Sequence, residues 1–297
     1  VIRHATAVAA AALITVAPVY GGEALIELLE QNTLTRIRGY ARTFEGVVGI
    51  AAIDLTNGRR FALNGDVAFP QASSIKIPIM MRMFQAARDG EFRLSDMITI
   101  SPEELAGGSG HLQKALANGP LALTVRELIT AMIETSDNTA TNKCIEMAKM
   151  ERVNRMLDEM GFVRTRLRRK MMDASAVAGG LENLSTPQEM AGIVERIYRG
   201  KVIDEKAGAE MLEIMKKVKA GIRRAVPPDV ETASKPGGVP GVKCESGVVY
   251  LPQRPFVLSV MSTFAGDQST AVEDITRIIY AHFARLGASN EWGHRYR

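Results

Sequence analysis

Apolar positions along this chain change their period twice. Residues 24–44 place Leu25, Ile26, Leu28, Leu29 and Ile37 at helical spacing around a polar middle, which predicts a helix. Val47 to Leu55 is rich in β-branched residues and reads as a strand. Asn57-Gly58 then supplies a hairpin turn, and Phe61 to Leu63 begins the return strand. From Ser73 to about residue 215 the spacing is helical, with runs at 74–89, 124–134, 139–149 and 151–160. Breaks such as Gly107-Gly108-Ser109-Gly110 separate them. Residues 165–185 are poorly periodic, and irregular stretches above about 12–15 residues are uncommon unless they serve a function. Ser185-Thr186-Pro187 predicts the cap of a helix running through Ile197. Strand patterns return at Val242 to Leu251 and Phe256 to Phe264, and Val272 to Leu286 is an amphipathic closing helix. The layout predicts an α/β plus all-α fold. A mixed antiparallel sheet flanked by helices takes residues 24–72 and 216–288, and an all-helical domain over 73–215 is inserted into it.

Composition narrows the class. At 297 residues with 46% hydrophobic and 24% charged residues, the chain has the balance of a soluble globular protein. The net charge of +4 owes something to Arg164, Arg166, Arg168, Arg169 and Lys170. That run has no interleaved aromatics, so a solvated or locally paired loop is expected and no nucleic acid partner. The cysteines, Cys144 and Cys244, fit two buried free thiols. Four scattered histidines make no metal cluster, and neither metal nor cofactor is expected. Ala5 to Ala17 is apolar and fits a signal-peptide core of about 7–15 residues, so residues 1–22 are expected to be an export-signal remnant and the protein periplasmic or secreted. No later segment has the length and apolarity of a membrane span.

Chemistry enters at Ser73-Ser74-Ile75-Lys76. At a helix start Ser73 and Lys76 share one face, and a desolvated lysine amine can take the proton that keeps a serine hydroxyl a weak nucleophile. The plainer alternative is a helix cap followed by a solvated lysine, and the pair alone does not separate the two. Ser136-Asp137-Asn138 follows the apolar helix 124–134, and Lys235-Pro236-Gly237-Gly238 opens the later strands. Their order, with separations of 63 and 99 residues (136 minus 73, 235 minus 136), makes the set specific.

In these three motifs the chain resembles the class A serine β-lactamases within the penicillin-recognising serine hydrolases. Connecting text such as Leu123-Thr124-Val125-Arg126-Glu127-Leu128 and Ser185-Thr186-Pro187-Gln188-Glu189-Met190-Ala191 extends the likeness over about residues 24 to 287. The resemblance implies that Ser73 is acylated by the lactam carbonyl, with Lys76 helping to remove its proton and Ser136 relaying a proton to the leaving nitrogen. It implies substrate contacts for Asn138, Lys235 and Gly237, and an oxyanion hole from the backbone N–H groups of Ser73 and Gly238. For Asp137 a structural role is expected, a buried carboxylate bonded by backbone N–H groups. The ligand would be a small-molecule β-lactam or a peptidoglycan-like substrate, and the chain a monomer.

Two positions depart from that pattern. Efficient family members carry a glutamate in the long irregular loop that activates the water releasing the acyl group. Counting from the loop entrance at Arg166-Leu167-Arg168-Arg169 puts Met171 there, and counting back from Pro187 puts Lys170 there. Asp173 and Glu182 are the nearby carboxylates, and pairing with the arginine run is the expected job of each. Lys170, Met171 and Asp173 are therefore the loop residues to watch. The second departure is Pro236, which removes a hydroxyl and a backbone N–H and fits a strand edge. The expectation is a serine hydrolase with intact acylation and impaired deacylation. The alternatives are a D-Ala-D-Ala peptidase or esterase on the same site, or a β-lactam-binding sensor or non-catalytic domain.

Overall fold

A computed structural model describes residues 22–295, so the expected export-signal remnant lies, but for Gly22, outside the described residues. Helix α1 (Gly22–Thr43) leads into a hairpin of β1 (Val47–Asp54) and β2 (Arg60–Leu63). A two-residue strand β3 (Phe69–Pro70) brings the chain to a 3₁₀ turn over Ala72–Ile75, which runs directly into α2 (Lys76–Arg88). Strands β4 (Met97–Ile100) and β5 (Leu121–Thr124) bracket the short helix α3 (Leu112–Leu116), and α4 (Val125–Glu134), α5 (Asn138–Ala148) and α6 (Met150–Glu159) follow. A loop carrying α7 (Ala174–Ala178) returns through β6 (Leu184–Ser185) to α8 (Pro187–Tyr198), α9 (Glu205–Lys216) and α10 (Gly221–Ala225). The chain closes with β7 (Thr232–Val239), β8 (Val242–Val249), β9 (Phe256–Thr263) and α11 (Ala271–Gly287).

The main sheet has the order β2-β1-β9-β8-β7 and is antiparallel throughout. Each face of it is covered, which is why nearly every strand position is buried. Side chains alternate between two cores with the strand period of two. Ile50 and Ala52 of β1 and Leu258 and Val260 of β9 join Ile37 of α1 and Ile275, Ile279 and Phe283 of α11. Ala51, Ile53, Val257 and Met261 face the other way, into a core shared with Met190, Ile193 and the methionines of α2. Helix α2 is buried on every side through Ile77, Ile79, Met80, Met81, Met83 and Phe84, as a helix without a polar face must be.

The helical boundaries expected over 74–160 agree with the structure to within about two residues. The stretch 73–215 is not all-helical: β4 pairs with β5, and β3 with β6. Strands of two to four residues leave almost no period to read. The Lys-Pro-Gly-Gly stretch lies inside β7, the free edge of the sheet, where proline is tolerated. Both cysteines are buried and unbridged.

Candidate active site

Three pieces of chain converge at the first turn of α2. In the 3₁₀ turn Ala72–Ile75, residues three apart eclipse, so the turn stacks Ser73 beside Lys76. Ala72 itself has φ 42°, and the turn is held from outside. Gln71, fully buried, donates its backbone N–H to Asn183 O (2.8 Å), and its carbonyl accepts from Ser74 N (2.9 Å) and the Cys244 thiol (3.1 Å). Ser73 is partly exposed and opens on a cavity of about 490 Å³.

Lys76 is fully buried, and the solvated-lysine alternative is excluded. Its Nζ donates to Ser136 O at 2.8 Å, Ser136 Oγ at 3.0 Å and Asn138 Oδ1 at 3.0 Å. Burial lowers its pKa to about 6, helped by the positive charge of Lys235 and opposed by Asp137. The shift favours the neutral amine, which keeps two N–H donors for these three oxygens and one lone pair to take a proton.

Ser136 stands between α4 and α5 with φ 56°, in the left-handed region that non-glycine residues rarely occupy. Strain of this kind persists only where neighbours over-determine it. Here Lys76 holds the carbonyl, and the next residue is anchored: Asp137 Oδ2 accepts from His111 N (2.8 Å) and Leu112 N (2.9 Å), and Oδ1 caps α5 at Ala140 N (2.9 Å). The structural role expected of Asp137 holds. Asn138, the first residue of α5, donates Nδ2 to Gly107 O (3.2 Å), and its N–H bonds Ser109 O (3.0 Å). The glycine-rich break at 107–110 is thus a wall of the site.

Strand β7 supplies the third side. Ala233 faces the α2 core, so the period of two turns Lys235 and Gly237 the same way. Lys235 is fully buried, its Nζ bonded to Pro236 O (3.0 Å); burial lowers its pKa to about 8, opposed by Glu245. Glu245 is itself held by Ser234 Oγ (2.6 Å) and Ile222 N (3.1 Å), and burial pushes its carboxyl pKa up. Ser74 Oγ bonds Lys235 O at 3.1 Å, tying strand to turn. A Cβ on Gly237 would lie 2.8 Å from Ser73 N and 2.7 Å from Ser74 N, so the strand reaches the Ser73 backbone only as glycine. Gly238 lines the Ser73 cavity.

The irregular loop closes the cavity. Its neck is pinned where Arg166 pairs with Leu184, and Asn183 Oδ1 accepts from Arg168 N (2.7 Å) and Arg169 N (3.1 Å). Met171 is buried on the cavity wall, its backbone gripped by the Asn142 side chain (Met171 N to Oδ1 2.7 Å, Nδ2 to Met171 O 3.1 Å). Lys170 is exposed and absent from the lining. Glu182 pairs with Arg169 (2.8 Å) as expected of it. Asp173 instead caps α7 at Ala176 N (2.9 Å), because a carboxylate at a helix start satisfies a free N–H. Other members of the basic run are also spoken for: Arg164 donates to Asp66 O, and Arg166 pairs with Asp158 (2.5 Å). Asn142, Ser109, Met172 and Val177 escaped the sequence reading. Asn142 alone carried a signal, one helical turn after Asn138 on the same face.

A family model described as the beta-lactamase enzyme family matches residues 32–283. Beta-lactamase ROB-1 of Haemophilus influenzae is 27% identical over 240 residues, covering 78% of this chain and 76% of that one. Beta-lactamase SME-1 of Serratia marcescens is 25% identical over 237 residues, covering 77% and 80%. Among solved structures, a beta-lactamase from Sphaerobacter thermophilus is 29% identical with a TM-score of 0.76, covering 89% of this chain and 97% of its own. The structure titled PBP-A superposes with a TM-score of 0.78 at 24% identity, over 86% and 97%.

Proposed function

We propose that this chain, which belongs to the beta-lactamase enzyme family, opens β-lactam amides through an acyl-enzyme on Ser73 and releases the acyl group slowly. The observation that carries the reading is the fully buried Lys76 amine, bonded to Ser136 and Asn138 and three residues along the same turn from a serine that opens on a cavity. In this mechanism Lys76 takes the Ser73 proton as Oγ attacks the lactam carbonyl. The negative charge that forms on the carbonyl oxygen meets the N–H groups of Ser73 and Gly238, a contribution of about 3–4 kcal/mol per donor in comparable sites. Ser136 Oγ, 3.0 Å from Nζ, passes the proton on to the leaving nitrogen, and the charged Lys235 favours a carboxylate on the substrate.

Slow release follows from the loop. Met171 offers the cavity no base, Glu182 is engaged by Arg169, and Asp173 is engaged at the start of α7. Loss of a positioned general base costs about 10²–10⁴ in rate. A periplasmic or secreted location belongs to the same proposal and rests on the apolar segment Ala5 to Ala17. Intact-mass spectrometry after incubation with benzylpenicillin tests the whole. A persistent adduct of one penicillin per chain, absent in Ser73→Ala, is expected. No adduct removes the acylation claim, and fast turnover without one removes the slow-release claim.

A further inference from the structure

The wall of the Ser73 cavity is apolar over most of its extent. Met171, Met172, Ala174, Val177 and Ala178 line it from the loop, and Val239 lines it from the sheet edge. Its volume, about 490 Å³, falls in the small-molecule range of about 300–1,000 Å³. Three of these side chains keep much of their surface in water: Met172 59%, Val239 46% and Val177 44% exposed. Single exposed apolar residues are ordinary, but three around one opening beside a nucleophile mark a binding surface.

Met172 has the most unusual placement of the three. Its φ is 60°, a conformation rare for a long side chain. Its Sδ lies 3.0 Å from where a Cβ on Gly108 would stand, so the thioether reaches the opposite wall and fills the room that glycine leaves. An unbranched thioether with three rotatable bonds repacks around differing shapes. The charged side chains on the lining are engaged, Arg169 with Glu182 and with Lys170 O (3.1 Å), Asp173 with Ala176 N. Arg169 Nε is buried without a partner among the described residues and so offers the cavity no accessible donor.

We propose that this cavity is a subsite for bulky, uncharged, apolar acyl groups, with Met172 as the side chain that folds over them. The inference rests on the acylation of Ser73 proposed above. The test uses 4-nitrophenyl esters of straight-chain acids from acetyl to octanoyl, with succinyl and glutaryl esters as charged counterparts. Ser73 Oγ attacks the ester carbonyl and gives its proton to Lys76; the bond to nitrophenolate breaks, and the acyl chain remains on Ser73. Acylation kcat/KM, followed by nitrophenolate release and adduct mass, should rise about threefold or more per added methylene until the cavity is filled. The charged esters should react at least tenfold more slowly than uncharged esters of equal length. In Met172→Glu and Val177→Asp, both on solvent-facing positions, the dependence on chain length should flatten. A flat series in the wild-type protein, or a preference for succinyl, overturns the subsite while adducts on Ser73 keep the acylation reading. Absence of any adduct, with esters and benzylpenicillin alike, overturns both.

Discussion

At Lys76 the buried amine has three hydrogen-bonded oxygen neighbours, none of them a carboxylate. The same burial that makes the ammonium form unfavourable makes the free amine available to Ser73. Below pH 6 Lys76 is protonated and cannot take the serine proton; above pH 8 Lys235 loses the charge that favours an anionic substrate. The rate of adduct formation with benzylpenicillin should therefore trace a bell with limbs near 6 and 8, read by stopped-time mass spectrometry. For the proposed slow release, the position to change is Met171. A carboxylate placed there would stand on the wall of the cavity that Ser73 opens on. Met171→Glu is expected to shorten the adduct lifetime at least tenfold, measured as decay of the acylated mass.

At the scale of elements, β7 carries the most demanding fit. Its Gly237 leaves no space for a methyl group, since every near atom is backbone of the turn holding Ser73. Gly237→Ala should cost about 1–3 kcal/mol in stability and slow acylation as well, seen as a lower denaturation midpoint together with a lower adduct rate. What the sequence disclosed follows the same physics. The long helices were legible because ten or more residues repeat a period, and Ser73, Lys76, Ser136, Asn138 and Lys235 were legible because their spacing as a set is specific. Strand β7 gave no strand pattern, because Pro236 and Gly237 answer to the turn they touch, not to strand propensity. Met172 and Val177 looked like any loop residues. Their exposure around the cavity depends on how the loop is pinned at Asn183 and Asn142, contacts between distant positions that no local period announces.

At the scale of the whole molecule, the sheet is clamped on its outer side by α1 and α11. His282 of α11 sits between Phe61 and Phe283, its Nδ1 3.0 Å from Thr33 Oγ1 of α1. Burial lowers its pKa to about 4. The unfolded chain therefore holds more protons on this residue between pH 6.5 and 4, and its contribution to stability is lost as the pH falls through that window. His282→Phe should lose less of its denaturant midpoint between pH 7 and pH 5 than the wild-type protein does, by equilibrium unfolding at both pH values.

The strand order β2-β1-β9-β8-β7 has a temporal consequence. Lys235 and Gly237 reach their places only through β8, which is seated on β9, which is seated on β1 roughly two hundred residues earlier in the chain. A ribosome-bound chain that has emerged only as far as residue 250 carries every reactive side chain named above, yet has no edge on which to mount two of them. Synthesis must run through Thr263 before Ser73 meets Lys235 and Gly237, so a chain stopped short of that point lacks the assembled site.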